Sequence, residues 1–126
     1  MPGGGEITIL VVDDEPRLRE LMKVALGSRY TFLEAGDVGE ALALVRSRPD
    51  LVLLDVMIPG GSGLDVLREI RRDPDLGRIP VVIVSAWQAA EDRRAALDEG
   101  ADAFLGKPFP LEELTAIVHT LAGGPP

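Results

Sequence analysis

Short, mostly apolar runs at Ile7–Val12, Leu51–Leu54, Val81–Val84 and Ala103–Leu105 alternate with longer stretches whose apolar residues recur every three or four positions. The runs have the length and composition of strands buried on both faces, and the stretches between them read as amphipathic helices. A second, more mixed strand is expected at Tyr30–Ala35. The helix stripes are Leu18, Leu21, Met22, Ala25 and Leu26, with Pro16 in the first turn; then Val38, Ala41, Leu42 and Val45; then Leu64, Leu67 and Ile70; and last Leu111, Leu114, Val118 and Leu121. Asp37 followed three residues later by Glu40 has the form of a capping box. The Gln88–Glu99 stretch, ended by Gly100, carries only a weak stripe. Pro59, Gly60, Gly61 and Gly63 mark a loop, and Asp73-Pro74 closes the third helix.

Five strand–helix units in this order predict an α/β domain. Its expected form is a flavodoxin-like, doubly wound, five-stranded parallel sheet of order 2-1-3-4-5 with five helices. The domain is expected over residues 6–122, with loose ends or linker at 1–5 and 123–126. At 126 residues the chain has room for one ordinary domain.

Composition removes several alternatives. A net charge of −8 argues against a nucleic-acid surface on this domain, because phosphate contacts need clustered Lys and Arg. No apolar run approaches the length of a membrane span, and no secretory signal is visible. The absence of cysteine removes disulfides and thiolate sites, which agrees with a cytoplasmic location.

In open parallel sheets, ligands bind beyond the carboxyl ends of the strands. Asp13 and Asp14 follow the first strand, Asp55 the third and Ser85 the fourth, while Lys107 stands just past the fifth. Three carboxylates, a hydroxyl and an ammonium on one edge suit a divalent cation beside a phosphoryl group. Asp13-Asp14 alone reads as helix capping. Asp55 changes that reading, since a carboxylate ending a central strand is costly unless exposed, paired or metal-bound. Mg²⁺ favours few carboxylates, a backbone oxygen and retained water, which Asp14, Asp55 and a carbonyl just after Asp55 supply, with Asp13 reaching through water. His119, the only histidine, lies late in the last helix and reads as structural.

The string Val11-Val12-Asp13-Asp14-Glu15-Pro16, the segment Asp55-Val56-Met57-Ile58-Pro59 with Gly63, and the pairs Ser85-Ala86 and Lys107-Pro108 followed by Phe109 together resemble the bacterial response-regulator receiver domain. The resemblance runs from about Ile7 to Leu121. It implies a two-component signalling domain that catalyses only its own phosphorylation and dephosphorylation. Asp55 would accept a phosphoryl group from a histidine kinase or phosphotransfer protein. Asp13, Asp14, Asp55 and the Met57 carbonyl would hold Mg²⁺. Ser85 and Lys107 would bind the phosphoryl group, with Ser85 and Phe104 as the switch pair, and the Lys107–Pro108 peptide would be cis. Met57 and Trp87 would flank the path of hydrolytic water, and neither has an acid or amide to orient it, which implies a long-lived phosphorylated form.

The resemblance also implies a partner or output face on the fourth helix, fifth strand and fifth helix. Receivers attached to winged-helix transcription factors commonly carry an Asp where this chain has Ala103 and an Arg near Ile117, so their ion-paired dimer is in doubt here. Ile117, to one side of the last helix's stripe, is expected on an exposed interaction face.

Three rivals are weaker. An HAD-like aspartyl-phosphate phosphatase needs an acid two residues after its nucleophile, where this chain has Met57. A flavin module wants stacking aromatics, which make up only 4% of the chain, and a less acidic edge. A degenerate receiver acting only as a binding module would not need the complete residue set.

Overall fold

The computed structural model describes residues 7–86 and 90–122. The expected loose ends at 1–5 and 123–126, Trp87 and the expected helix start at Gln88 lie outside the described residues. Five strands, β1 (Ile7–Val12), β2 (Tyr30–Ala35), β3 (Leu51–Leu54), β4 (Val81–Ser85) and β5 (Ala103–Gly106), form one parallel sheet of order β2-β1-β3-β4-β5. The helices are α1 (Pro16–Leu26), α2 (Val38–Leu44), α3 (Gly63–Arg72), α4 (Ala90–Asp98) and α5 (Leu111–Leu121).

Alternation along the strands divides the core in two. Leu10, Val12, Val52, Leu54 and Ile83 meet Ala41, Val66, Leu67 and Ile70 of α2 and α3. Ile9, Val11, Leu53, Val82 and Val84 meet Met22, Leu26, Leu114 and Val118 of α1 and α5. Covered on both faces, β3, β4 and residues 9–12 of β1 carry no polar residue until they reach the sheet edge.

Several elements differ in detail from the expectation. After Leu44, α2 tightens into a 3-10 turn at Val45–Ser47, and Arg48 adopts a left-handed conformation with φ 62°. Pro49 follows Arg48 and disfavours continued helix there. Asp37 caps α2 by accepting from the Glu40 N–H at 2.7 Å, but Glu40 reaches back to the Gly36 N–H rather than to the cap residue. The reciprocal capping box is instead at the start of α3, between Ser62 and Asp65.

Leu21 and Leu111 belong to the apolar stripes by spacing, yet both are exposed. Leu21 sits at the rim of the α1 stripe, and Leu111 is in the first turn of α5, before that helix reaches the sheet. Ile117 is half-buried against the α1–α5 side of the core rather than fully exposed, because it borders the Leu114–Val118 seam. It shares a hollow of about 280 Å³ with Asp102, Ala103 and Leu121. The described side chains of α4 bury little: Ala96 is covered and Leu97 is exposed. Arg93 of this helix lies over the Phe104 ring of β5, 5.1 Å from its centroid. His119 is exposed.

Candidate functional site

Backbone hydrogen bonds fix each candidate residue at the point where the sheet ends. The Asp13 N–H donates to the Ala35 carbonyl at 3.0 Å, the Asp55 N–H to Val12 at 2.9 Å and the Lys107 N–H to Ser85 at 2.7 Å. These bonds continue the parallel ladders by one rung and leave the side chains projecting from a rigid edge. The Lys107–Pro108 peptide bond is cis.

Asp13 is 1% exposed, Asp55 4% and Ser85 0%, whereas Asp14 is exposed. The Lys107 ammonium bridges the two buried carboxylates, donating to Asp13 Oδ2 and Asp55 Oδ2 at 2.8 Å each. The other carboxylate oxygens meet backbone donors: the Glu15 N–H lies 2.9 Å from Asp13 Oδ1, and the Met57 N–H lies 3.1 Å from Asp55 Oδ1. One carboxylate oxygen from each of Asp13, Asp14 and Asp55 lies within 4.8 Å of the others, a grouping able to hold a metal ion.

Burial pushes the Asp55 carboxyl above its ordinary pKa, against the lowering effect of the Lys107 and Met57 hydrogen bonds; the nearby Asp13 charge adds to the rise. Burial alone would depress the Lys107 ammonium. Its hydrogen bonds to Asp13 and Asp55, with their Coulomb attraction, outweigh that and hold its pKa above the ordinary lysine value. The site thus sets the Lys107 ammonium between two carboxyl groups, of which Asp55 is strained by burial.

The structure brings together Asp13, Asp14, Asp55 and Lys107. Ser85 ends the neighbouring strand, and Phe104 lies on β5 between the sheet and α4. Met57 exposes its side chain while its N–H faces Asp55. Two further residues support the site, of which Arg19 was not foreseen. The Arg19 guanidinium donates to the Asp13 carbonyl and to Glu34, tying the loop after β1 to β2. Gly63 packs its α-carbon against the acceptor loop, where an added Cβ would lie 2.1 Å from the Asp55 carbonyl oxygen. The sequence marks Gly63 as a loop glycine belonging to the Asp55–Pro59 segment, without showing the close contact, and it gives no signal for Arg19.

A model of the response regulator receiver domain matches residues 9–119. The chain belongs to the response regulator receiver domain family. It is the receiver domain of a two-component response regulator, a phosphoacceptor module in signalling. It is 45% identical over 121 residues to a Mycobacterium tuberculosis protein named "Probable transcriptional regulatory protein TcrX", covering 94% of this chain and 50% of that protein. It is 44% identical over 113 residues to the DNA-binding response regulator MtrA of Mycolicibacterium smegmatis, covering 88% of this chain and 48% of MtrA. The chain thus spans about half the length of the curated relatives it matches. Among solved structures, the Francisella response regulator 1452 receiver domain superposes with a TM-score of 0.86 at 29% identity, covering 94% of this chain and 98% of that one. Among the described residues of this receiver, no helix is long and apolar enough to cross a membrane.

Proposed function

We propose that Asp55 is the phosphoryl acceptor, and that a histidine kinase or phosphotransfer protein is the donor. The observation that carries this reading is a buried carboxylate held between the Lys107 ammonium and the Met57 N–H, beside two more carboxylates. Three carboxylates against one ammonium leave two negative charges uncompensated, so an incoming phosphoryl group would be repelled. A divalent cation balances that excess. Asp13, Asp14, Asp55 and the Met57 carbonyl are oxygen donors of the kind Mg²⁺ takes, and Asp14 is exposed where water can complete the shell. When bound, Mg²⁺ supplies charge neutralisation for the transferring group.

The rest is placement by the chain's own residues. An Asp55 carboxylate oxygen attacks phosphorus in line, the bond from phosphorus to the donor nitrogen breaks, and the donor imidazole leaves with the electron pair. Lys107 then shifts from Asp55 to a phosphoryl oxygen while staying bound to Asp13. The Ser85 hydroxyl donates to a second phosphoryl oxygen, and Phe104 carries the change towards α4. We assign the signalling face to α4, β5 and α5, where Ala103 and Ile117 replace the charges of an ion-paired dimer with an apolar hollow. Residues 6–122 constitute the module, working in the cytoplasm with an output domain or separate partner. It transforms no external substrate, its only chemistry being its own phosphorylation and dephosphorylation.

Intact mass spectrometry after treatment with acetyl phosphate and Mg²⁺ tests the reading. The parent is expected to gain one phosphoryl group and to lose that gain when EDTA replaces Mg²⁺. Equal labelling with and without the metal would contradict it.

A further inference from the structure

Met57 differs from Met22 in what reaches it. Met22 is 1% exposed within the core, whereas Met57 is 64% exposed. Met57 is also pinned to the site, since its N–H donates to Asp55 Oδ1 at 3.1 Å. Its side chain lines an open hollow of about 460 Å³ with Asp14, Pro59 and Ser62. At about 30 Å³ of liquid volume per molecule, that hollow admits several waters. A thioether sulfur accepts hydrogen bonds weakly, so Met57 itself orients them little, and the polar side chains of the hollow are Asp14 and Ser62.

We propose that the Met57 thioether is a redox modification site, through which oxidation by a peroxide shortens the life of phosphorylated Asp55. The inference rests on the reading of Asp55 as acceptor. A sulfur lone pair attacks one oxygen of hydrogen peroxide and the O–O bond breaks. The other oxygen takes the proton given up by the transferred oxygen and leaves as water. Sulfur is oxidised by two electrons to the sulfoxide, and the peroxide is reduced. The product carries no charge but gains a strong acceptor oxygen in the hollow. A water donating one proton to that oxygen keeps a lone pair free for phosphorus, which is the arrangement hydrolysis needs. Methionine sulfoxide reductases reverse the modification, so the effect is a switch and not only damage.

Peptide mapping after dilute hydrogen peroxide is expected to place an added oxygen on Met57 before Met22 gains any. After peroxide is removed, the oxidised protein is labelled with acetyl phosphate and Mg²⁺ and loss of the phosphoryl group is followed. Loss is expected to be severalfold faster than in untreated protein, and to return to the untreated rate after reductase. Met57→Leu, which keeps the apolar bulk and lacks the sulfur, should show no response to peroxide, while Met22→Leu should retain it. An unchanged or longer lifetime with Met57 fully oxidised overturns the proposal, as does equal acceleration in Met57→Leu. Untreated protein that takes up no phosphoryl group would overturn the reading of Asp55 itself, and the proposal with it.

Discussion

Burial penalises the ionised Asp55 carboxylate, and its raised pKa makes that penalty measurable through pH. Between the ordinary carboxylate value and the raised one, the folded protein binds more protons than the unfolded chain. The destabilisation from ionised Asp55 is therefore absent below the ordinary value, grows as pH rises through this window, and is fully present above the raised value. Without divalent cations, Asp55→Asn should melt higher than the parent at pH 7, and the gap should close as pH falls towards 4. A gap that stays constant or widens on acidification would show that Asp55 is not strained by burial. Lys107 acts in the opposite range, because its raised pKa gives stability below about 10.4 that is lost as pH climbs through the folded value. Gly63 shows a second residue-scale constraint, of volume rather than charge. A methyl group there would overlap the Asp55 carbonyl and the Val56 α-carbon, both backbone, so the acceptor loop itself must move. Gly63→Ala is expected to cost about 2 kcal/mol or more in urea denaturation, within the overpacking range, and to slow phosphorylation. Parent-like stability in Gly63→Ala would show that the contact relaxes freely.

Helices and loops depend on cross-links that are far apart in the chain. The Arg71 guanidinium, at the end of α3, donates to the carbonyls of Gly77, Ile79 and Gly100 and to the Asp102 carboxylate, joining the loops that lead into β4 and β5. Gly100, at φ 106°, leaves the space this side chain fills. Arg71→Ala should destabilise by about 2 kcal/mol or more and speed amide exchange around Gly100–Asp102. Arg71→Lys should recover little, because an ammonium cannot span acceptors set in a fork. Full recovery by lysine would reduce the role to charge alone. The strands were legible in the sequence because chains buried on both faces are continuously apolar, and the polar residue closing each run marked the sheet edge where Asp13, Asp55 and Ser85 stand. Lys107 was legible as an ammonium on that same edge once the strand order 2-1-3-4-5 was expected, and it meets Asp13 across 94 residues and Asp55 across 52. Arg71 and Arg19 read as ordinary surface arginines, because nothing local signals what a long side chain will reach. The stripe rule overstated Leu21 and Leu111 and understated Ile117, since spacing gives a direction around a helix but not how far the neighbouring elements extend.

At the scale of the molecule, a core in two halves carries a charged edge at one end of the sheet, with α4 packed beside β5. Met22, Leu54, Ile83 and Leu114 leave almost no free surface inside, so a charge change at Asp55 has few places to relax. α4 buries little through its described side chains, and Arg93 on Phe104 is one of the contacts that joins it to β5. In the proposed function, α4 is the element that reports the state of the site. The proposed function depends on one covalent event, at the Asp55 carboxylate. Borohydride reduction of the acetyl-phosphate-labelled protein converts an acyl phosphate into the corresponding alcohol, and peptide mapping then locates it. Reduction to homoserine at position 55 alone, with none formed in Asp55→Asn, is the predicted result. Homoserine at another aspartate of the parent, or a phosphoryl group that persists in Asp55→Asn, would contradict it.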